Sequence, residues 1–162
     1  MFQIRNLIIF ILLSSSLIET AISNSVEQSN IYSLESRTVD LDNMIEKNKL
    51  GEKGKRIIFE PKLVKFSATI QQLPKKANTD YLLKALTLGG LTEHPTTSHQ
   101  MFIRSPNNTI IAVYVEDKLA KLILEQLKEE QQWRWQALHS YNNYRGPALL
   151  LIGVESLDSE QK

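Results

Sequence analysis

The sequence predicts a mainly β fold with one amphipathic helix, and three segments carry that prediction. Four apolar residues alternate with polar ones in the first segment: Val64, Phe66, Ala68 and Ile70. This period of two is typical of a half-buried strand. Apolar residues recur at helical spacing in the second, over 117–128: Leu119, Leu122, Ile123 and Leu127. A second alternation, interrupted by Leu138, places five residues on one face of a strand: Trp133, Trp135, Ala137, His139 and Tyr141.

The remaining elements follow from turn residues. Pro61 lies where the first strand begins, and Pro74 is expected to end it. Two short apolar runs, 101–104 and 109–115, flank a Ser-Pro-Asn-Asn turn and predict a hairpin. The turn at 142–147 leads into a final apolar strand over 148–154.

Two connecting segments complete the domain. Residues 81–88 suit either a helix that ends at Gly89-Gly90 or a second strand; their place after a strand and a turn favours the strand. Residues 91–99 are predicted to form a loop.

The N-terminus has the pattern of a secretory signal peptide over 1–23. Arg5 precedes an unbroken apolar run over 7–13, and the small residues Ala21 and Ser23 fit a cleavage point before Asn24. The alternative is an uncleaved anchor that holds the protein in an inner membrane, although the apolar stretch is shorter than a span requires. A lipoprotein is excluded because no cysteine is present to carry the lipid.

The mature chain divides into a leader, a domain and a tail. Residues 24–56 are polar and weakly patterned, with a short helix compatible with 34–49 and a linker at 51–55, so we expect this segment to be loosely held. The domain is predicted over 57–157, and residues 158–162 form a polar tail.

Composition restricts the partners and the chemistry. Lys plus Arg is 19 and Asp plus Glu is 18, so the formal net charge is +1, and no attraction to nucleic acid is expected. Without cysteine, disulfides, zinc thiolate sites and cysteine nucleophiles are excluded. A small exported domain that has no disulfide indicates a bacterial envelope protein.

The order of elements between Ile57 and Val154 resembles the OB-fold. The resemblance depends on an amphipathic helix between the third and fourth strands and on the segment 119–153, where that helix runs into a strand, a Gly-containing hairpin and a closing strand. The chain is therefore similar to a small exported bacterial OB-fold protein, which implies a five-stranded, partly open barrel. A small α+β antiparallel sheet is the alternative. The resemblance carries no functional residue over to this chain.

The sequence shows no recognisable catalytic or metal site. His94 and His99 share one loop, but a metal would need a third ligand, for which Glu93 is the nearest residue. Ser105 and Ser140 lack the context of a serine nucleophile. The acidic pairs Glu116-Asp117 and Glu129-Glu130 flank the predicted helix, where capping or solvation explains them. We expect no enzyme activity, no cofactor and no metal.

Aromatic and polar residues near the C-terminus form the candidate binding site: Trp133, Trp135, His139, Tyr141, Tyr144 and Arg145. Exposed aromatics on a barrel can stack on sugars or bases. The alternative is that Trp133 and Trp135 fill the core beneath the helix, and we favour this interpretation because large aromatic side chains are usually buried. The predicted function is a periplasmic or secreted binding module for a protein, a peptide or a glycan. The alternatives are an accessory structural subunit of a cell-envelope assembly and an enzyme whose site is not recognisable.

Overall fold

A computed structural model describes residues 35–157 of the chain. Its six strands and three helices follow in the order β1 (Arg37–Thr38), α1 (Leu41–Asn48), β2 (Arg56–Lys76), α2 (Asp80–Leu88), β3 (Thr97–Arg104), β4 (Ile110–Glu116), α3 (Asp117–Gln126), β5 (Gln132–Asn143) and β6 (Gly146–Glu155). The predicted signal peptide, most of the leader and the tail from residue 158 lie outside the described residues. Between residues 35 and 157, no helix is both long enough and apolar enough to cross a membrane.

The six strands form one sheet in a ring. Their order is β1-β2-β3-β4-β6-β5, and β5 pairs back with β2, so five strands close on themselves while β1 adds to β2. Most neighbours are antiparallel, whereas β4 and β6, and β1 and β2, run parallel. The mainly β prediction is confirmed. The five strands β2 to β6 form the predicted domain, and the sixth, β1, lies in the segment predicted as a leader. The prediction of one helix is wrong, because this part of the chain has two helices besides α3.

The ring encloses the larger of two hydrophobic cores. Strand residues at alternate positions meet inside it, among them Phe66, Ile70, Met101, Trp135 and Leu151. Helix α3 adds Leu119, Ala120 and Ile123 to this core, which confirms most of the helical face that the sequence predicts; Leu122, also predicted on that face, is exposed instead. The alternation of apolar and polar residues along β2 and β5 is thus explained by burial of the apolar residues on the inner face of the ring.

Helix α1 packs against the ring on strands β6 and β2. It contributes Leu41, Met44 and Ile45 to the main core, although the sequence predicted a loosely held segment here. The Asp42 carboxylate binds the hydroxyl of Ser105 and the backbone N–H of Asn107, both in the β3–β4 turn. The sequence allowed a short helix within 34–49, but its three buried residues did not by themselves show that the helix is held in the core.

Strand β2 is longer than predicted because its prolines lie at irregular positions. The pairing with β5 skips from Ile58 to Lys62, around Pro61, and the pairing with β3 shifts between Gln72 and Lys75, around Pro74. A proline cannot donate to a ladder hydrogen bond, and such interruptions accommodate it. Pro74 therefore does not end the strand, as the sequence predicted.

Helix α2 replaces the strand that the sequence favoured over 81–88. Its buried face packs on the outside of the ring against a second core that includes Leu63, Leu138 and Leu150. Leu138, the exception in the predicted alternation of β5, belongs to this outer core. The helix ends at Gly89, where a Cβ atom would lie 2.5 Å from the carbonyl oxygen of Phe59. Glycine thus permits the close approach of α2 to β2.

Candidate functional site

A cleft of about 960 Å³ opens between α1, the segment at β1, the start of β2 and the end of β5. We call it the His139 cleft. Its apolar walls include Val39, Met44, Phe59, Pro61 and Leu63. Its polar residues are Glu35, Ser36, Arg37, Asn48, Glu60, Lys62, His139 and Asn142. This volume lies in the range of small-ligand sites, which combine apolar walls with a few placed polar groups.

A chain of hydrogen bonds fixes the tautomer of His139. The carbonyl of Met44 accepts from Asn48 Nδ2 at 2.8 Å, so Asn48 Oδ1 faces Asn142 and accepts from Asn142 Nδ2 at 2.8 Å. Asn142 Oδ1 then faces His139 Nε2 at 2.7 Å and must accept the Nε2–H. Because a carbonyl can only accept, the chain has one consistent direction, which assigns both amide orientations and places the proton of a neutral imidazole on Nε2.

The other ring nitrogen of His139 is an acceptor. Within residues 35–157, Nδ1 makes no hydrogen bond, and it is not among the side-chain atoms that are both buried and unpartnered. The residue is only 6% exposed, and the cleft is the space that it lines. His139 therefore lines the cleft and carries one acceptor, Nδ1, that has no partner among the described residues.

Burial keeps His139 neutral. Loss of hydration lowers the pKa of the imidazole below its ordinary value; the hydrogen bond to Asn142 acts in the opposite direction, and the nearby charge of Lys62 lowers the pKa further. Lys62 lies directly opposite His139 in the β2–β5 pairing. The ring of Phe59 meets the imidazole edge to face, with centroids 4.6 Å apart, and holds its plane.

The two predicted tryptophans lie in or against the core. Trp135 is 0% exposed, and its Nε1–H donates to the carbonyl of Ala68 at 3.0 Å. Trp133 is half-buried and packs against the same core as Ile123. Trp135 is thus not available as a stacking platform, in agreement with the core interpretation.

A bulge in β5 separates Tyr141 from His139. The β5–β6 pairing passes from His139 directly to Tyr141, so Ser140 is an extra residue, and the residues beyond it change faces. Tyr141 therefore belongs to the outer core with Leu138, which corrects the single face predicted for 133–141. Burial raises the pKa of the Tyr141 hydroxyl well above its ordinary value.

Tyr144 and Arg145 lie at the β5–β6 turn, away from the residues that line the His139 cleft. Arg145 Nε donates to the hydroxyl of Tyr144 at 2.7 Å, and its guanidinium lies 5.2 Å from the centre of that ring. Of the six candidate residues, only His139 lines the cleft.

Sequence reasoning missed a polar cluster at the start of α3. Asp117 Oδ1 accepts from the Ser98 backbone N–H at 2.9 Å, the Ser98 hydroxyl at 2.7 Å and His99 Nδ1 at 2.7 Å, while Lys76 donates to the Ser98 hydroxyl at 2.8 Å. Partial burial acts to raise the pKa of Asp117, but these hydrogen bonds hold it below its ordinary value. The Ser98 hydroxyl is directed at the carboxylate rather than at a free imidazole nitrogen, so the order of a catalytic triad is not formed.

Comparisons with protein-family models, with curated proteins and with solved structures found no match to this chain. Among the residues described, no three histidine, aspartate or glutamate side chains are placed to hold a metal ion. The function of the site is therefore inferred from its geometry.

Proposed function

We propose that the protein is an exported binding module on an OB-fold-like barrel and that the His139 cleft is its ligand site. Export follows from the pattern of residues 1–23, with Asn24 as the mature N-terminus. The partner is a periplasmic or secreted protein, peptide or glycan.

The connectivity of the ring supports an OB-fold. Counted along the chain, the five ring strands are β2 to β6, and their order around the ring is first, second, third, fifth, fourth and back to the first. Helix α3 lies between the third and fourth of them, as expected for the OB-fold resemblance. Strand β1 and helices α1 and α2 are additions to this framework.

One observation carries the functional proposal: a neutral, nearly buried histidine lines a roomy cleft, its tautomer is fixed from a backbone carbonyl, and its remaining lone pair has no partner within residues 35–157. Buried polar groups are normally satisfied within the protein. His139 instead makes one hydrogen bond, through Nε2. A hydrogen-bond network of three residues orients the Nδ1 acceptor of His139. Such a fixed acceptor is suited to recognise a donor group on a ligand.

A second surface favours the alternative, an accessory subunit that contacts another envelope protein. Phe102 and Ile110, on neighbouring strands β3 and β4, are 38% and 53% exposed. With Gln71, Gln72 and Glu129 they line a depression of about 390 Å³. Exposed apolar residues that adjoin on a sheet are typical of a protein contact.

A capture experiment from the native envelope separates the two. The mature chain would be compared with a variant at each surface, His139→Phe in the cleft and Phe102→Ala on the sheet. A cleft-binding module loses its captured molecule in His139→Phe and keeps it in Phe102→Ala. The reverse result would reject the cleft as the binding site and favour the accessory subunit.

A further inference from the structure

We propose that the His139 cleft takes a neutral saccharide. This inference rests on the proposed function, and it follows from two properties of the cleft: its strands offer little free backbone to an extended chain, and its charges cancel.

Strand addition, a common way of binding an extended peptide, has little backbone to use here, because the edge strand β1 is only two residues long. The edge of β2 is already occupied by β1, with Arg37 opposite Val64 and Thr38 opposite Lys65. Beyond β1 the edge reaches Pro61, which has no N–H to donate, and the carbonyl of Phe59 lies against Gly89 of α2. Because a peptide gains affinity on a sheet edge mainly through main-chain hydrogen bonds, recognition in this cleft falls to side chains.

The charged side chains of the cleft balance. Glu35 and Glu60 supply two carboxylates, and Arg37 and Lys62 supply two cations, while His139 is neutral. In the described part of the chain, none of these four charges forms a salt bridge. A site with no net charge gives a charged ligand no overall attraction.

Hydroxyl groups match this mixture of donors and acceptors. Each hydroxyl donates one hydrogen bond and accepts others, so a sugar can donate to His139 Nδ1 and to a carboxylate while it accepts from Lys62 or Arg37. A ligand that only donates or only accepts would leave half of these groups unsatisfied.

The apolar wall completes the match. Phe59 is half-buried, its ring contacts His139 and lies with its centre 5.8 Å from the Lys62 ammonium, and Pro61 and Val39 adjoin it in the lining. A pyranose has an apolar C–H face as well as polar edges, and that face packs on a ring of this kind. The cleft volume of about 960 Å³ leaves room for more than a single small polar group.

The test is a binding panel with the mature chain. The probes are short neutral oligosaccharides, uronic-acid oligosaccharides of the same length, and tripeptides. We expect binding to at least one neutral oligosaccharide, about tenfold weaker in His139→Phe because one buried hydrogen bond is lost. Leu88→Ala, at an exposed side chain of α2 that lines neither depression, is the control and should bind as the native chain does.

Two exposed side chains sharpen the test without threatening the fold. Glu60→Gln and Lys62→Met each remove one charge of the balanced set, and both residues are exposed. A neutral saccharide should be held less tightly by both variants, by a few-fold each. A ligand that is lost in Lys62→Met but bound more tightly by Glu60→Gln would be an anion, and this inference would be overturned.

The failures are distinguishable. Preference for the uronic-acid series, or binding of tripeptides alone with the same dependence on His139, would reject the neutral saccharide and leave the cleft as the ligand site. If no probe depends on His139 and the envelope capture also survives His139→Phe, both the saccharide and the proposed function are rejected.

Discussion

Replacing Trp135 with alanine removes the bulkiest fully buried side chain of the described chain. Large-to-small changes of this kind cost about 3–5 kcal/mol of the free energy of unfolding. Loss of the 3.0 Å hydrogen bond to the Ala68 carbonyl places the cost toward the upper end. Ordinary domains have about 5–15 kcal/mol in total, so this substitution consumes a large share of the stability.

The assay is thermal and urea unfolding followed by circular dichroism. For a domain of this size, a loss of 3–5 kcal/mol corresponds to a fall in Tm of roughly 10–25 °C. Trp135→Phe keeps most of the volume and should lose about 1–2 kcal/mol, mainly the hydrogen bond. Leu122→Ala, at a side chain 37% exposed on α3, is the matched control and should shift Tm little. An unchanged Tm in Trp135→Ala would refute the placement of this residue in the core.

Four further outcomes are expected. Gly89→Ala should lose about 1–3 kcal/mol, because its Cβ would lie 2.5 Å from the Phe59 carbonyl, whereas Gly51→Ala, with nothing within 4 Å, should be near neutral in urea unfolding. The free energy of unfolding should fall as the pH drops below the ordinary histidine pKa of 6.5, because the unfolded chain binds a proton at His139 before the folded chain does. His139 contributes at most about 1.4 kcal/mol per pH unit to this fall. The pH profile of His139→Phe should lack that contribution, and a profile identical to that of the native chain would contradict the prediction. Limited proteolysis should spare α1, and early cutting within Leu41–Asn48 would show that this helix is not held in the core. Mass spectrometry of the native protein should find Asn24 at its N-terminus, and an intact Met1 would indicate the uncleaved anchor.

Periodicity predicted the elements that bury one face and expose the other. Helix α3 follows from its period, because one side contacts the core and the other contacts water, whereas the hairpin of β3 and β4 was predicted from the turn residues between two apolar runs. A strand was favoured wrongly for residues 81–88, because a helix on the outer surface of a ring has the same apolar content as a short strand. The bulge at Ser140 was not detectable either, since an extra residue leaves the composition of β5 unchanged.

The cleft was largely beyond sequence reasoning. His139 was named for its place in an aromatic face, but its partners come from elsewhere: Asn48 from α1, Lys62 from β2 and Asn142 from the far side of the bulge. Asparagine is common in turns and caps, so neither amide stands out before the fold brings them together. These side chains meet because the pairing between β2 and β5 is interrupted around Pro61, and this interruption is visible only in the structure.

The placement of α1 has a consequence for how the chain acquires its structure. The helix lies near the start of the chain but packs on strand β6 and on the β3–β4 turn, and the hydrogen bond between Asn142 and Asn48 joins residues 94 positions apart. Lys65 is likewise paired with Glu155, 90 residues later. Contacts of such long range raise the entropic cost of the folding transition state and slow folding. The amino-terminal half therefore lacks its contacts with β6 until that strand is formed, so the main core is completed late in folding.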